Sequence, residues 1–143
     1  MLLDLHDFGE RAEVSSDVIR ERLGEARPTR LMLRFDWSDK IFEPNYYADH
    51  PYLSEDSAHL LVERGVRMLA MDTPMPDNPK NGRGTPNDSP NHRILLGAEV
   101  ILVEYVTNLR SLGTAKEIDL FVLPLKIEDG DGSPVRCLAR ALD

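Results

Sequence analysis

The run Ser54-Glu55-Asp56-Ser57-Ala58-His59-Leu60-Leu61-Val62-Glu63-Arg64-Gly65-Val66-Arg67-Met68-Leu69-Ala70-Met71-Asp72 reads as one helix passing directly into one buried strand. Ser54 has the short oxygen side chain that satisfies free amides at a helix start. Ala58, Leu61 and Val62 fall on one side of the helix, and Gly65 suits its left-handed terminus. Val66 to Met71 then has the length and apolar character of a buried strand ending at Asp72. The same pattern continues outward in both directions. Upstream, Leu2-Leu3-Asp4-Leu5 is a short apolar strand, Ser15-Ser16-Asp17 starts a helix that stops at Gly24, and Arg27-Pro28-Thr29 precedes a strand over Arg30 to Phe35. Downstream comes a long loop from Thr73 to Asn91, dense in Pro, Gly, Asn and Asp, then a helical turn from His92 to Leu96. Strands follow over Val100–Val103, Ile118–Leu125 and Val135–Ala141, the last two joined through Asp129-Gly130-Asp131-Gly132. Strands interleaved with two or three helices predict a mixed α/β domain. No repeat or internal boundary divides it, so residues 1–143 are expected to form a single domain.

Composition bounds the function classes. The chain has 143 residues, with 25 Asp plus Glu against 17 Lys plus Arg and a formal net charge of −8. An acidic chain with no basic run is a poor partner for nucleic acid or an anionic membrane. No apolar stretch approaches the roughly 20 residues of a membrane helix. Met1-Leu2-Leu3-Asp4-Leu5-His6-Asp7 has neither the cationic start nor the apolar run of a signal peptide. Cys137 is the one cysteine, which excludes an internal disulfide and a cysteine-built zinc site. The expected compartment is the cytoplasm.

The candidate chemistry lies among histidines and carboxylates. His59 falls inside the second helix, His6 has only Asp7 beside it, and His50 reads either as a pocket residue or as a turn residue. His92 follows the long loop and precedes a strand that ends in Glu104. Glu104 itself has two readings: a carboxylate at an exposed strand end, or one drawn inward by a metal or a cationic partner, since burying it unpaired is costly. Asp72 ends a strand, where acids of α/β domains project into ligand crevices, or it caps the turn at Thr73-Pro74. Trp37, Tyr46, Tyr47 and Tyr52 form a pocket wall or a cover over the core. Asp129 and Asp131 lack the later ligand positions of a calcium loop and read as a hairpin turn. Cys137, inside an apolar strand, reads as an inert thiol.

The residues His92-Arg93-Ile94-Leu95-Leu96-Gly97 through Val103-Glu104, then Thr107-Asn108-Leu109, resemble the cyclase family of metal-dependent hydrolases, which includes kynurenine formamidase and isatin hydrolase. Trp37-Ser38-Asp39, Leu61 to Val66, Asp72-Thr73-Pro74 and Asp131 to Arg136 match in the same order, so the resemblance runs from about Leu3 to Ala139. It implies a twisted sheet or flattened barrel flanked by helices, and hydrolysis of an amide, cyclic amide or lactone. It also implies a zinc or manganese cofactor, with His92 as metal ligand or proton shuttle and Glu104 as metal ligand. Asp72 and Trp37 remain the candidate substrate-pocket residues, and a small-molecule substrate and at least a homodimer are the expected partners. The chain departs from the family pattern at Phe35-Asp36, where Thr-Gly is common, at Met75, where Ser is usual, and in a longer loop from Asn78 to Asn91. The family's principal metal motif, His-x-Gly-Thr-His-x-Asp, has no counterpart here. Three accounts fit that departure: a truncated gene product, one part of a split enzyme whose partner supplies the segment, or a relative that kept the fold and lost hydrolysis. Two protein ligands rarely hold a catalytic metal, so metal binding by this chain alone is expected to be weak or absent and its turnover slight. The competing class is a non-catalytic subunit or interaction module.

Overall fold

The computed structural model describes residues 1–142. In chain order the strands are β1 (Leu2–Asp4), β2 (Glu13–Val14), β3 (Arg30–Arg34), β4 (Tyr52–Leu53), β5 (Met68–Met71), β6 (Ile101–Val103), β7 (Ile118–Pro124) and β8 (Val135–Ala141). The helices are α1 (Ser16–Leu23), α2 (Glu55–Glu63) and α3 (Pro90–Gly97). Four strands form a parallel sheet in the order β1-β3-β5-β6, each linked to the next through one of the three helices. β7 and β8 form an antiparallel hairpin, and β2 pairs with β4 in a two-residue parallel ladder. The expected mixed α/β class is observed, with an open sheet.

Side-chain alternation along the strands builds two cores, one on each face of the sheet. Leu31 and Leu33 of β3 and Leu69 and Met71 of β5 pack against Ile19 and Leu23 of α1, Leu61 of α2 and Leu95 of α3. Their neighbours Met32, Ala70 and Val103 face the other way, toward Val106, Leu109, Leu112 and the inner side of the hairpin. The layers therefore run helices, parallel sheet, hairpin. Cys137 lies half-buried on that inner side, and burial pushes its thiol pKa up, which suits an inert thiol.

Local signals explain most boundaries. Ser15 Oγ accepts from the Val18 amide at 3.5 Å, and Ser54 Oγ accepts from the Ser57 amide at 3.1 Å, so both serines cap as expected. α3 starts at Pro90, two residues before the expected His92, because proline at a first helical turn loses no hydrogen bond. Asp36 adopts a left-handed φ of 56°; a short acid tolerates that region better than most side chains. It is held there by Arg34, whose Nε donates to Oδ1 at 2.8 Å.

The outer side of the hairpin carries a small apolar group between the charged residues Asp119, Arg136 and Arg140. Phe121, Leu123 and Leu138 are 53%, 58% and 54% exposed, and Phe121 stands directly opposite Leu138.

Candidate metal centre

The site forms where β6 ends. Leu102 packs toward the helices and Val103 toward the hairpin, so alternation returns Glu104 to the helix side. Tyr105 follows with φ 58°, a costly conformation for a bulky residue, and its amide donates to Thr73 O at 3.1 Å. The strand therefore turns away directly after Glu104. From the other side, the first turn of α3 brings His92, whose Nε2 lies 3.2 Å from Glu104 Oε1. The pair is close but not aligned as a hydrogen bond: Oε1 is buried and has no hydrogen-bond partner. The two residues that the resemblance joined at a separation of twelve are in contact.

The other ring nitrogen of His92 meets a residue that the sequence did not single out. Asp77 is fully buried, and its Oδ2 lies 2.5 Å from His92 Nδ1. The same carboxylate accepts the Asn91 amide at 2.6 Å and the His92 amide at 3.3 Å. It thus caps α3 from outside the helix, in place of Ser89, whose side chain makes no capping bond. Carboxylates at both ring nitrogens, Asp77 first and Glu104 second, push the His92 pKa up to about 9. Asp77 is itself fixed from behind. His50, fully buried, has Nε2 3.0 Å from Asp77 O and Nδ1 3.1 Å from Tyr47 O, and burial lowers its pKa. Of the two readings of His50, the structure supports the turn-holding one. Asn91 Nδ2 donates to Leu53 O and Pro76 O at 2.7 and 2.9 Å. His6 bonds Asp4 at the surface, and His59 is exposed on α2.

His92 and Glu104 border a groove of about 690 Å3 along the free edge of β6, walled by Leu96, Ile101 and Tyr105 on one side and by Val122 and Pro124 of the hairpin on the other. Trp37 and Asp72 lie elsewhere, in the core. Trp37 Nε1 donates to Tyr46 O at 3.0 Å, and Lys40 Nζ sits 4.6 Å above its ring. An aromatic chain runs from Trp37 through Tyr46 to Tyr105, with ring centroids 6.4 Å apart at each step. Asp72 is fully buried at the end of β5; its Oδ1 accepts the Phe35 amide at 2.8 Å while Oδ2 has no partner.

Burial pushes the Asp72 pKa up to about 6. The folded chain therefore holds this proton more tightly than the unfolded chain, whose aspartates titrate near 3.9. Stability falls as pH rises through that window, and above it the ionised side chain costs on the order of 3 kcal/mol. Asp72→Asn is expected to stabilise the chain at pH 7 by about 1–2 kcal/mol, since the new amide still lacks one partner, and to have little effect near pH 4. Urea unfolding at the two pH values checks this; an equal effect at both would contradict it.

Residues 1–78, more than half of the chain, match the Cyclase family model. The chain belongs to the Cyclase family. Among curated proteins this Cyclase-family chain is 32% identical over 114 residues to the kynurenine formamidase of Bacillus cereus (strain ATCC 10987 / NRS 248), a match covering 79% of the chain and 50% of that protein. Its fold is that of an isatin hydrolase solved with the product analogue thioisatinate, at a TM-score of 0.81 and 22% identity over 96% of this chain and 57% of that one. A potential metal-dependent hydrolase with cyclase activity superposes at a TM-score of 0.70 and 22% identity, covering 96% of this chain and 62% of that one. The chain thus spans about half the length of the curated relatives it matches. Among the described residues no helix is long and apolar enough to cross a membrane, and no group of three or more His, Cys, Asp or Glu side chains is arranged to hold a metal ion.

Proposed function

We propose that His92 and Glu104 are two ligands of a divalent-metal centre that hydrolyses an amide, cyclic amide or lactone. The observation that carries this is the buried, unpartnered Oε1 of Glu104 facing His92 Nε2 at 3.2 Å across the mouth of the groove. An imidazole nitrogen and a carboxylate oxygen suit zinc or manganese. A bound divalent ion there would polarise a carbonyl and lower the pKa of water. The chain's own residues do the rest. Asp77 and Glu104 together keep a proton on His92 at neutral pH, and that proton lies where a cation would sit, so metal uptake competes with it. The apolar side chains along the groove would receive the body of a small substrate. Hydrolase relatives favour this reading over a non-catalytic module.

Catalytic zinc sites typically use three protein ligands; here two converge. The reading therefore includes ligands from beyond the described residues, and weak metal binding with little turnover by the pure chain. Zinc or manganese titration with a formamide and a lactone as substrates tests it. Tight stoichiometric metal and brisk hydrolysis by the pure chain would overturn the incomplete site. No metal response at His92 or Glu104 would overturn the centre itself.

The same reading takes the chain to be cytoplasmic and at least dimeric. The exposed apolar group on the outer side of the hairpin, Phe121, Leu123 and Leu138, supports association. Light scattering is expected to give at least twice the mass of the chain, 16.2 kDa; a monomer at all working concentrations would contradict this.

A further inference from the structure

We propose that Asp77 is a positioning residue, one that keeps a hydrogen on His92 Nδ1 and so leaves Nε2, at the groove, as the nitrogen that gives up its proton to a cation. The inference rests on the metal-centre reading for its consequence, but its geometry stands alone. Asp77 Oδ2 lies 2.5 Å from Nδ1 and 3.3 Å from the His92 amide, and Oδ1 accepts the Asn91 amide at 2.6 Å. Carboxylates face both ring nitrogens and can only accept, but Asp77 makes the short, aligned hydrogen bond while Glu104, at 3.2 Å from Nε2, does not, so the neutral ring keeps its hydrogen on Nδ1. The carboxylate is fully buried and its backbone oxygen is held by His50, so it has little freedom to follow the imidazole elsewhere. The first turn of α3 and the ring of His92 are fixed by one group. A carboxylate behind a ligating imidazole sets both tautomer and ring orientation, and its loss costs roughly 10–100-fold in metal affinity.

Asp77→Ala would remove the helix cap along with the histidine contact, so it cannot separate the two roles. Asp77→Asn can. The amide oxygen still accepts the Asn91 amide, while the amide nitrogen faces Nδ1 and donates to it. The imidazole must then carry its hydrogen on Nε2, the nitrogen needed for the cation. The experiment reads ring-nitrogen NMR of His92 over a pH series carried up until the ring is neutral, and zinc affinity near pH 7, in the wild-type chain and in Asp77→Asn. The wild type is expected to show hydrogen on Nδ1. The variant is expected to show it on Nε2, with a helical signal like that of the wild type and zinc bound roughly 10–100-fold more weakly.

Hydrogen on Nε2 in the wild type overturns the proposal, whether or not the variant folds. An unchanged tautomer with unchanged zinc affinity in Asp77→Asn overturns it equally. A wild type that carries hydrogen on Nδ1 yet ignores zinc defeats the metal centre and leaves Asp77 as the group that sets the ring.

Discussion

Glu104→Gln is expected to lower the zinc affinity of the chain by more than the roughly 10–100-fold that losing a group behind a ligand costs. The substitution keeps the size of the side chain and removes the anionic donor. Oε1 of Glu104 is buried with no aligned hydrogen bond and lies 3.2 Å from His92 Nε2, so a cation that displaces the His92 proton meets an anionic oxygen already in place. A neutral amide offers it much less. His92→Ala should be at least as damaging, because it removes the only imidazole at the groove among the described residues. Isothermal titration with zinc at fixed pH reads both variants. Affinity within about threefold of wild type for either variant would place the metal elsewhere; that threshold is below the tenfold that 1.4 kcal/mol represents.

The second large effect concerns the sheet that presents the site. Leu69 of β5 is fully buried and pairs with Leu31 of β3 on one side and Leu102 of β6 on the other. It lies in the core shared with all three helices. Leu69→Ala is expected to destabilise the chain by about 2–5 kcal/mol, the lost transfer energy plus the cavity left behind. A domain of this size is stable by only about 5–15 kcal/mol, so a large share of the folded population is at stake. Glu104 should lose its place with β6, and zinc affinity should fall along with the melting temperature. A loss under about 1 kcal/mol in urea unfolding would mean that this strand is not the centre of the core.

Most of the framework was legible because it depends on local chemistry. Ser15 and Ser54 cap the helices they were expected to cap, and the run from Val66 to Met71 holds a central strand. The boundary of α3 was missed by two residues although its signal was present, since Ser89-Pro90 is a common helix opening. β2 and β4 had no signal to give: two residues are too short for any period. His92 and Glu104 stood out only as a histidine and a carboxylate near a strand end, and it was the resemblance that joined them. Their contact depends on the turn at Tyr105 and the start of α3, which neither residue encodes. Asp77 was invisible for a similar reason. It sits in Pro76-Asp77-Asn78-Pro79, inside a loop whose path is set by His50 and Asn91. The departure at Asp36 was legible in sequence, but its cause, a left-handed backbone braced by Arg34, was not.

Trp37 and Asp72 do not border the groove beside Glu104. Both are buried in the core, one bonded to Tyr46 O and the other to the Phe35 amide, while the groove wall near Glu104 is Tyr105. The aromatic chain from Trp37 to Tyr105 links them, so a change at Trp37 reaches the groove through packing rather than by contact.

The most direct measurement is anomalous diffraction from crystals of the chain soaked in zinc. The account predicts a peak within bonding reach of both His92 Nε2 and Glu104 Oε1, about 2.0–2.2 Å from each, with Asp77 still on Nδ1. Zinc bound only elsewhere, with His92 and Glu104 left as the ion pair they form now, would contradict it.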